Sequence, residues 1–324
     1  KMNWQIQVPI PQYPFSLSRG DRVFTLGSCF AQHMADRLLH YKFSCASNFY
    51  GTLFHPIPLL QNLTDALKQV EIDEALFLER DEIAFHYSCH SSVWAESKND
   101  LKKKLQDLQS SVAKELKESK LLILTFGTAF LYQLVSGKPV ANCHKQPKDT
   151  FIKGLSSPEE IQNVFYSFYT ELKKQNPKIQ ILLTVSPVRH IRDGVHENNL
   201  SKSALFLACD AIQNTFEDLH YFPAYEIVMD ELRDYRFYET DRVHPNDEAI
   251  AYVWDKFAEA ILTKDSLSLN RDLDKLFLSI NHKAFIETSI AHKRFLQKTM
   301  VSALALNEKV DLKEEIKELK KRLQ

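Results

Sequence analysis

Two stretches, Lys120–Thr125 (KLLILT) and Lys178–Val185 (KIQILLTV), restrict the fold more than any other part of the chain. Each is apolar for nearly its whole length, so neither suits a sheet with one face in water. Such runs belong to parallel strands covered by helices on both faces. Each ends at a breaker, Phe126-Gly127-Thr128 in one case and Ser186-Pro187 in the other. Around them run helical stripes: Phe30, Met34 and Leu38 behind the strand-like Val23–Leu26, then Pro58–Val70, Asn99–Ser119, Pro158–Gln175 and Asn199–Phe216. Lys42–Ala46 reads as a second strand, Glu82–Tyr87 as a half-buried alternating one, and Tyr225–Met229 as the last. This rhythm predicts an α/β fold: a doubly wound, mostly parallel sheet of about five strands flanked by helices.

The remainder is organised around that sheet. The Pro-rich opening (Pro9, Pro11, Pro14) reads as extended chain draped over the domain. Beyond Ser266 only helical patterns remain, which divides the chain into a domain over 1–264 and an all-helical C-terminal extension over 265–324. Leu312, Ile316, Leu319 and Leu323 form a stripe that fits a short coiled-coil seam, and hence self-association, or packing onto the chain's own domain.

Composition excludes several classes of partner. A formal net charge of −1 provides no basic field for nucleic acid or anionic lipid. No apolar run approaches the ~20 residues that a membrane helix needs. The five cysteines (Cys29, Cys45, Cys89, Cys143, Cys209) are scattered and odd in number, which fits reduced thiols and a cytoplasmic location. The opening KMNWQIQVPIPQYPF has no apolar signal core, although a leader already removed would leave no trace. Neither GxGxxG nor GxxxxGK[ST] occurs, so no cofactor is expected. His86, Cys89 and His90 sit too far apart along a strand to chelate easily, and no metal is expected either.

Two short motifs carry chemistry. Val23–Leu26 runs into Gly27-Ser28, and a helix begins at once, placing Ser28 at a helix N-terminus. Unpaired amides and the positive end of the helix dipole would there meet the oxyanion that an attacking hydroxyl creates. The plainer reading is a serine N-cap. Far along the chain, Tyr238–Asn246 (YETDRVHPN) places Asp241 three residues before His244, with Pro245 opening another helix. That spacing lets the carboxylate hold one ring nitrogen while the other takes the nucleophile's proton. A surface Asp–His pair is the plainer reading here. Cys29 at the same helix start would suit a thiolate nucleophile, but packing behind Ser28 is the fate the sequence favours for it.

These residues resemble a known family. Gly27–Ala31 (GSCFA) is the motif that names the GSCFA family, a bacterial group similar to the SGNH (GDSL-type) hydrolases. Asn48–Gly51 (NFYG), Thr125–Ala129 (TFGTA), Asn142–Lys145 (NCHK), Ser186–Gly194 (SPVRHIRDG) and Asp241–Pro245 resemble its further blocks, over residues from about 20 to 260. The resemblance implies an SGNH-like serine esterase with catalytic Ser28, Asp241 and His244. It implies an oxyanion hole from the amides of Ser28 and Gly51. The Gly-x-Asn-Asp block of SGNH enzymes is replaced by Gly127-Thr128-Ala129, so Thr128 or Asn48 would supply the missing side-chain donor.

Further polar residues fall where strands end. His90 is a candidate for the substrate mouth, and the resemblance places His144 near the cleft, with a hydrogen-bonded loop histidine as the alternative. Arg189 and His190 follow a buried strand; Arg189 would clamp a carboxylate or phosphate, or form an ion pair with Asp193. The function expected is hydrolysis of an O-acyl ester, acetyl among the candidates, on a carbohydrate-like or other polar small molecule. Acyl transfer by the same triad and a catalytically degenerate binding scaffold are the alternatives.

Overall fold

A computed structural model describes residues 5–286 and 288–323. Arg22–Gly27 (β1), Ser44–Ser47 (β2), Leu121–Phe126 (β3), Gln180–Val185 (β4) and Leu219–Tyr221 (β5) form one sheet in the order β5-β4-β3-β1-β2, parallel throughout. The two apolar runs are its central strands β3 and β4, as their uniform hydrophobicity requires. In chain order the longer helices are α1 (Cys29–His40), α2 (Pro56–Lys68), α3 (Lys98–Glu118), α4 (Pro158–Gln175), α5 (Val195–Gln213), α6 (Asp247–Ile261), α7 (Lys264–Asn281), α8 (Ile290–Asn307) and α9 (Lys313–Leu323).

Alternation along the strands divides the interior into two cores. Leu122, Leu124, Phe126, Ile181, Leu183 and Val185 face the layer of α2, α3, α4 and α5. Val23, Leu121, Ile123 and Leu182 face α1, α6 and the C-terminal helices. The strand order reverses direction after β1, since β2 lies on one side of it and β3 on the other. The crevice for a ligand in such a sheet opens at this switch point, outside the carboxyl ends of β1 and β3.

The C-terminal stripe is used within the chain: Leu312, Ile316 and Leu319 are buried in the same core as Phe30 of α1 and Trp254 of α6. A 2.5 Å ion pair between Lys42 and Glu315 fastens α9 to the turn after α1. The opening segment is also pinned, with Leu17 N–H donating to Ile261 O (2.7 Å) and Thr263 N–H to Leu17 O (3.0 Å).

Two elements differ from expectation. Tyr225–Met229 is helical, not a strand; the last strand is Leu219–Tyr221. Burial there falls on Ile227, Val228, Glu231 and Leu232, a helical stripe that a period-two strand would split between two faces. Outside the main sheet, Phe77–Arg80 pairs with Ile83–His86 as a hairpin, and Phe130–Leu134 joins Pro139–Val140 and Phe151–Leu155 in a three-stranded antiparallel sheet. Of these smaller elements, only the strand around Ile83 was foreshadowed by alternation.

Candidate active site

At the end of β1 the backbone can only be glycine. Gly27 has φ +131°, and a Cβ there would lie 2.0 Å from the Thr125 carbonyl oxygen. Next, Ser28 N–H donates to that carbonyl (3.1 Å), carrying the ladder one step past the strand. Ser28 occupies the N-cap of α1, but its hydroxyl makes no cap bond. The residue is 0% exposed, and its Oγ has no partner among the described residues. Cys29, the first residue of α1, is the partly exposed one. Cys29 is thus not wholly packed behind Ser28 as expected; of the two side chains, that of Ser28 is the buried one. Burial pushes the Cys29 thiol up; its own N–H, that of Phe30 and the charge of Lys202 oppose this.

Register shows what surrounds Cys29. Gly27 is level with Thr125, and Thr125 with Thr184. Two residues on from these, just past the strand ends, come Cys29, Gly127 and Ser186. Lys202 of α5 reaches this edge from inside the protein, its ammonium donating to Gly127 O (2.7 Å) and Ser186 O (2.8 Å). Burial brings the Lys202 pKa down to about 7, with the charge of Cys29 opposing. Sequence reasoning passed over this lysine. Its signal was a cation within the buried stripe of Asn198, Ser201, Lys202, Leu205 and Cys209.

His190 closes the same corner. Its N–H donates to Asn198 Oδ1 (2.8 Å), and its ring lies edge-on to Phe54. Nε2 is buried with no partner among the described residues, 3.2 Å from where a Cβ on Gly127 would stand. Burial, with the charges of Lys202 and His244 adding to it, takes this imidazole down to about 4.

Asp241 and His244 are joined, Nδ1 to Oδ2 at 2.6 Å. The Val243 and His244 amides also donate to Asp241, at 2.9 and 3.0 Å. These two amide bonds and the imidazole hold the carboxyl down at about 2. The fixed carboxylate leaves His244 Nε2 available for chemistry. The pair lies on the loop that opens α6, and α6 shares a core with α1, where Ala249 and Val253 are buried together with Phe30 and Met34.

The expected oxyanion donors are largely occupied. Ser28 N–H is taken by Thr125 O, and Gly51 N–H donates to Asn48 O (2.7 Å). The Thr128 hydroxyl lies 3.0 Å from Ser201 Oγ and accepts from Phe130 N–H. Asn48 accepts from Gly27 N–H through Oδ1, and its amide NH2 has only a long 3.4 Å bond to Gln32. The Cys29 and Phe30 amides, at the start of α1, lack a backbone partner among the described residues.

The other candidates separate. His90 packs on Gly51, whose added Cβ would lie 2.4 Å from His90 Cβ. His144 is buried beneath the hairpin with Nε2 at 3.0 Å from His86 O, so its contacts are those of the hydrogen-bonded loop histidine. Arg189 does not pair with Asp193, which is bound by Lys153. Its guanidinium donates to Arg242 O (2.9 Å), inside the Asp241–His244 loop, and lies over the Tyr238 ring.

The GSCFA family profile matches residues 22–257, and the C-terminal domain profile of GSCFA domain proteins matches 273–324. The chain belongs to the GSCFA family. No curated protein matches this GSCFA chain. Among solved structures, it is similar to an acetyl xylan esterase from the rumen bacterium Butyrivibrio proteoclasticus, with 11% identity and a TM-score of 0.33. The match covers 80% of the GSCFA chain and 65% of the esterase, less than two thirds of its length. Among the described residues of the GSCFA chain, no helix is long and apolar enough to cross a membrane.

Proposed function

We propose that this GSCFA chain is an acyl hydrolase acting on O-acyl esters of polar small molecules, acetyl esters among them. The attacking group lies at the Ser28-Cys29 step, His244 moves the proton and Asp241 holds the imidazole. The observation that carries this reading is the bonded Asp241–His244 pair, on the loop that opens a helix sharing the core of α1. An imidazole held this way accepts the nucleophile's proton, then returns it to the departing alcohol. The Cys29 and Phe30 amides are the donors best placed for the oxyanion. Arg189 and the tyrosines beside the loop favour a polar or anionic substrate. An alcohol in place of water at the second step would make the same chemistry acyl transfer.

A binding scaffold on the same sheet is the second reading, favoured by the occupied amides of Ser28 and Gly51. The decisive comparison is turnover of p-nitrophenyl acetate and acetylated sugars by the native chain and by His244→Ala. A fall of ~10²–10⁴-fold supports the hydrolase. No turnover above buffer by the native chain supports the scaffold.

A further inference from the structure

We infer that the nucleophile is the Cys29 thiol, and that Lys202 is a positioning residue whose buried ammonium stabilises the thiolate as it forms. This rests on the acyl-transfer reading above. Three observations carry it. Ser28 is the more enclosed of the two: its Oγ is wholly buried and has no partner among the described residues. Cys29, by contrast, opens at the switch point with two helix-start amides facing its sulfur. Finally, a buried ammonium stands at the same edge. Lys202 is bound by the two carbonyls that follow β3 and β4, whose neutral oxygens leave its charge uncompensated. Burying an unpaired ammonium is costly, and a nearby group that becomes an anion relieves that cost. Around it, His190 presents an unpartnered Nε2 and His33 follows one turn later, both held toward the neutral form by burial.

The chemistry balances without a further reactant. The thiol proton passes to His244 Nε2 as sulfur forms a bond to the acyl carbon. The ester C–O bond then breaks, and the alcohol leaves with the proton from His244. Water, deprotonated by His244, attacks the thioester, releasing the acid and returning the thiol.

The test traps the acyl-enzyme. The native chain is mixed with p-nitrophenyl acetate, quenched in acid and mapped by peptide mass spectrometry, alongside Ser28→Ala and Cys29→Ala. An acetyl group on Cys29, still formed in Ser28→Ala and absent in Cys29→Ala, is the expected result. Acetyl on Ser28 overturns the inference but leaves the hydrolase standing. No adduct together with no turnover overturns both.

The role of Lys202 is read separately from iodoacetamide alkylation of the native chain. Cys29 should react at least ~10-fold faster at pH 7 than Cys45, which is also part-buried but has the carboxylates of Glu115 and Asp36, not a lysine, acting on it. Equal rates overturn the role. Lys202→Met, checked for fold by circular dichroism, should shift the pH profile of Cys29 alkylation upward. An unshifted profile in a folded variant also overturns it.

Discussion

The two halves of the site are built in opposite ways. Asp241–His244 is a local device: three residues of spacing, one loop, side chains nearly half exposed and the bonds of the Asp241 carboxylate all within the loop. The α1 start is a long-range device, in which Gly27, Thr125, Gly127, Ser186 and Lys202 from four separate elements meet at one buried edge. On the proposed reading, a proton carrier needs only an orienting neighbour, whereas a nucleophile needs the sheet beneath it.

That difference is open to attack, most severely at Gly27. Gly27→Ala forces a Cβ onto the Thr125 carbonyl at a positive φ, and should destabilise the chain by roughly 3–5 kcal/mol in urea unfolding. Gly137→Ala is the control, since φ is again positive but nothing stands within 4 Å of the new Cβ. It should cost about 1 kcal/mol. Similar losses at the two positions would mean that the α1 start is no more tightly built than a surface turn.

The loop should behave in the opposite sense. Asp241→Asn leaves the imidazole without its anion and should lower kcat by ~10²-fold or more. Its unfolding midpoint should stay within experimental error, because the pair is solvent-exposed. A large stability loss would show that the loop is structural.

A smaller effect separates the two regions by pH. The Lys202 pKa falls from 10.5 to about 7 on folding. Between those values the unfolded chain binds the proton and the folded one releases it, so stability rises with pH, by up to about 1.4 kcal/mol per unit for one proton. From pH 7 to 8.5, urea midpoints of the native chain should climb, and those of Lys202→Met should climb less. Parallel slopes would remove the buried cation from the account.

Legibility in the sequence follows the same division. The β3 and β4 runs, the helix over Pro158–Gln175 and the spacing of Asp241 and His244 are local patterns, and a local pattern survives in one dimension. What stayed hidden depended on distant partners. The sequence places Ser28 at a helix start, but nothing near it records that its side chain is buried and its N–H claimed by Thr125. Lys202 resembles any helical lysine until the stripe around it is seen to be buried. The Tyr225–Met229 error is of another kind: a short apolar run carries no period of its own, and packing chose a helix.

The mildest prediction concerns Arg189, which ties the two regions together. It follows β4, the strand that supplies a carbonyl to Lys202, and donates to Arg242 inside the His244 loop. Asp193, the alternative partner, is bound by Lys153, so the guanidinium charge is not neutralised by that carboxylate. An arginine held against Tyr238 beside the loop of the proposed proton carrier is well placed to meet an anionic substituent on the substrate. Arg189→Gln should therefore raise KM for an acidic ester by ~10-fold, with little change in kcat and little change in KM for a neutral one. If instead kcat falls for both esters and KM stays put, Arg189 serves to hold the Asp241–His244 loop in register with β4, and the substrate charge is read elsewhere.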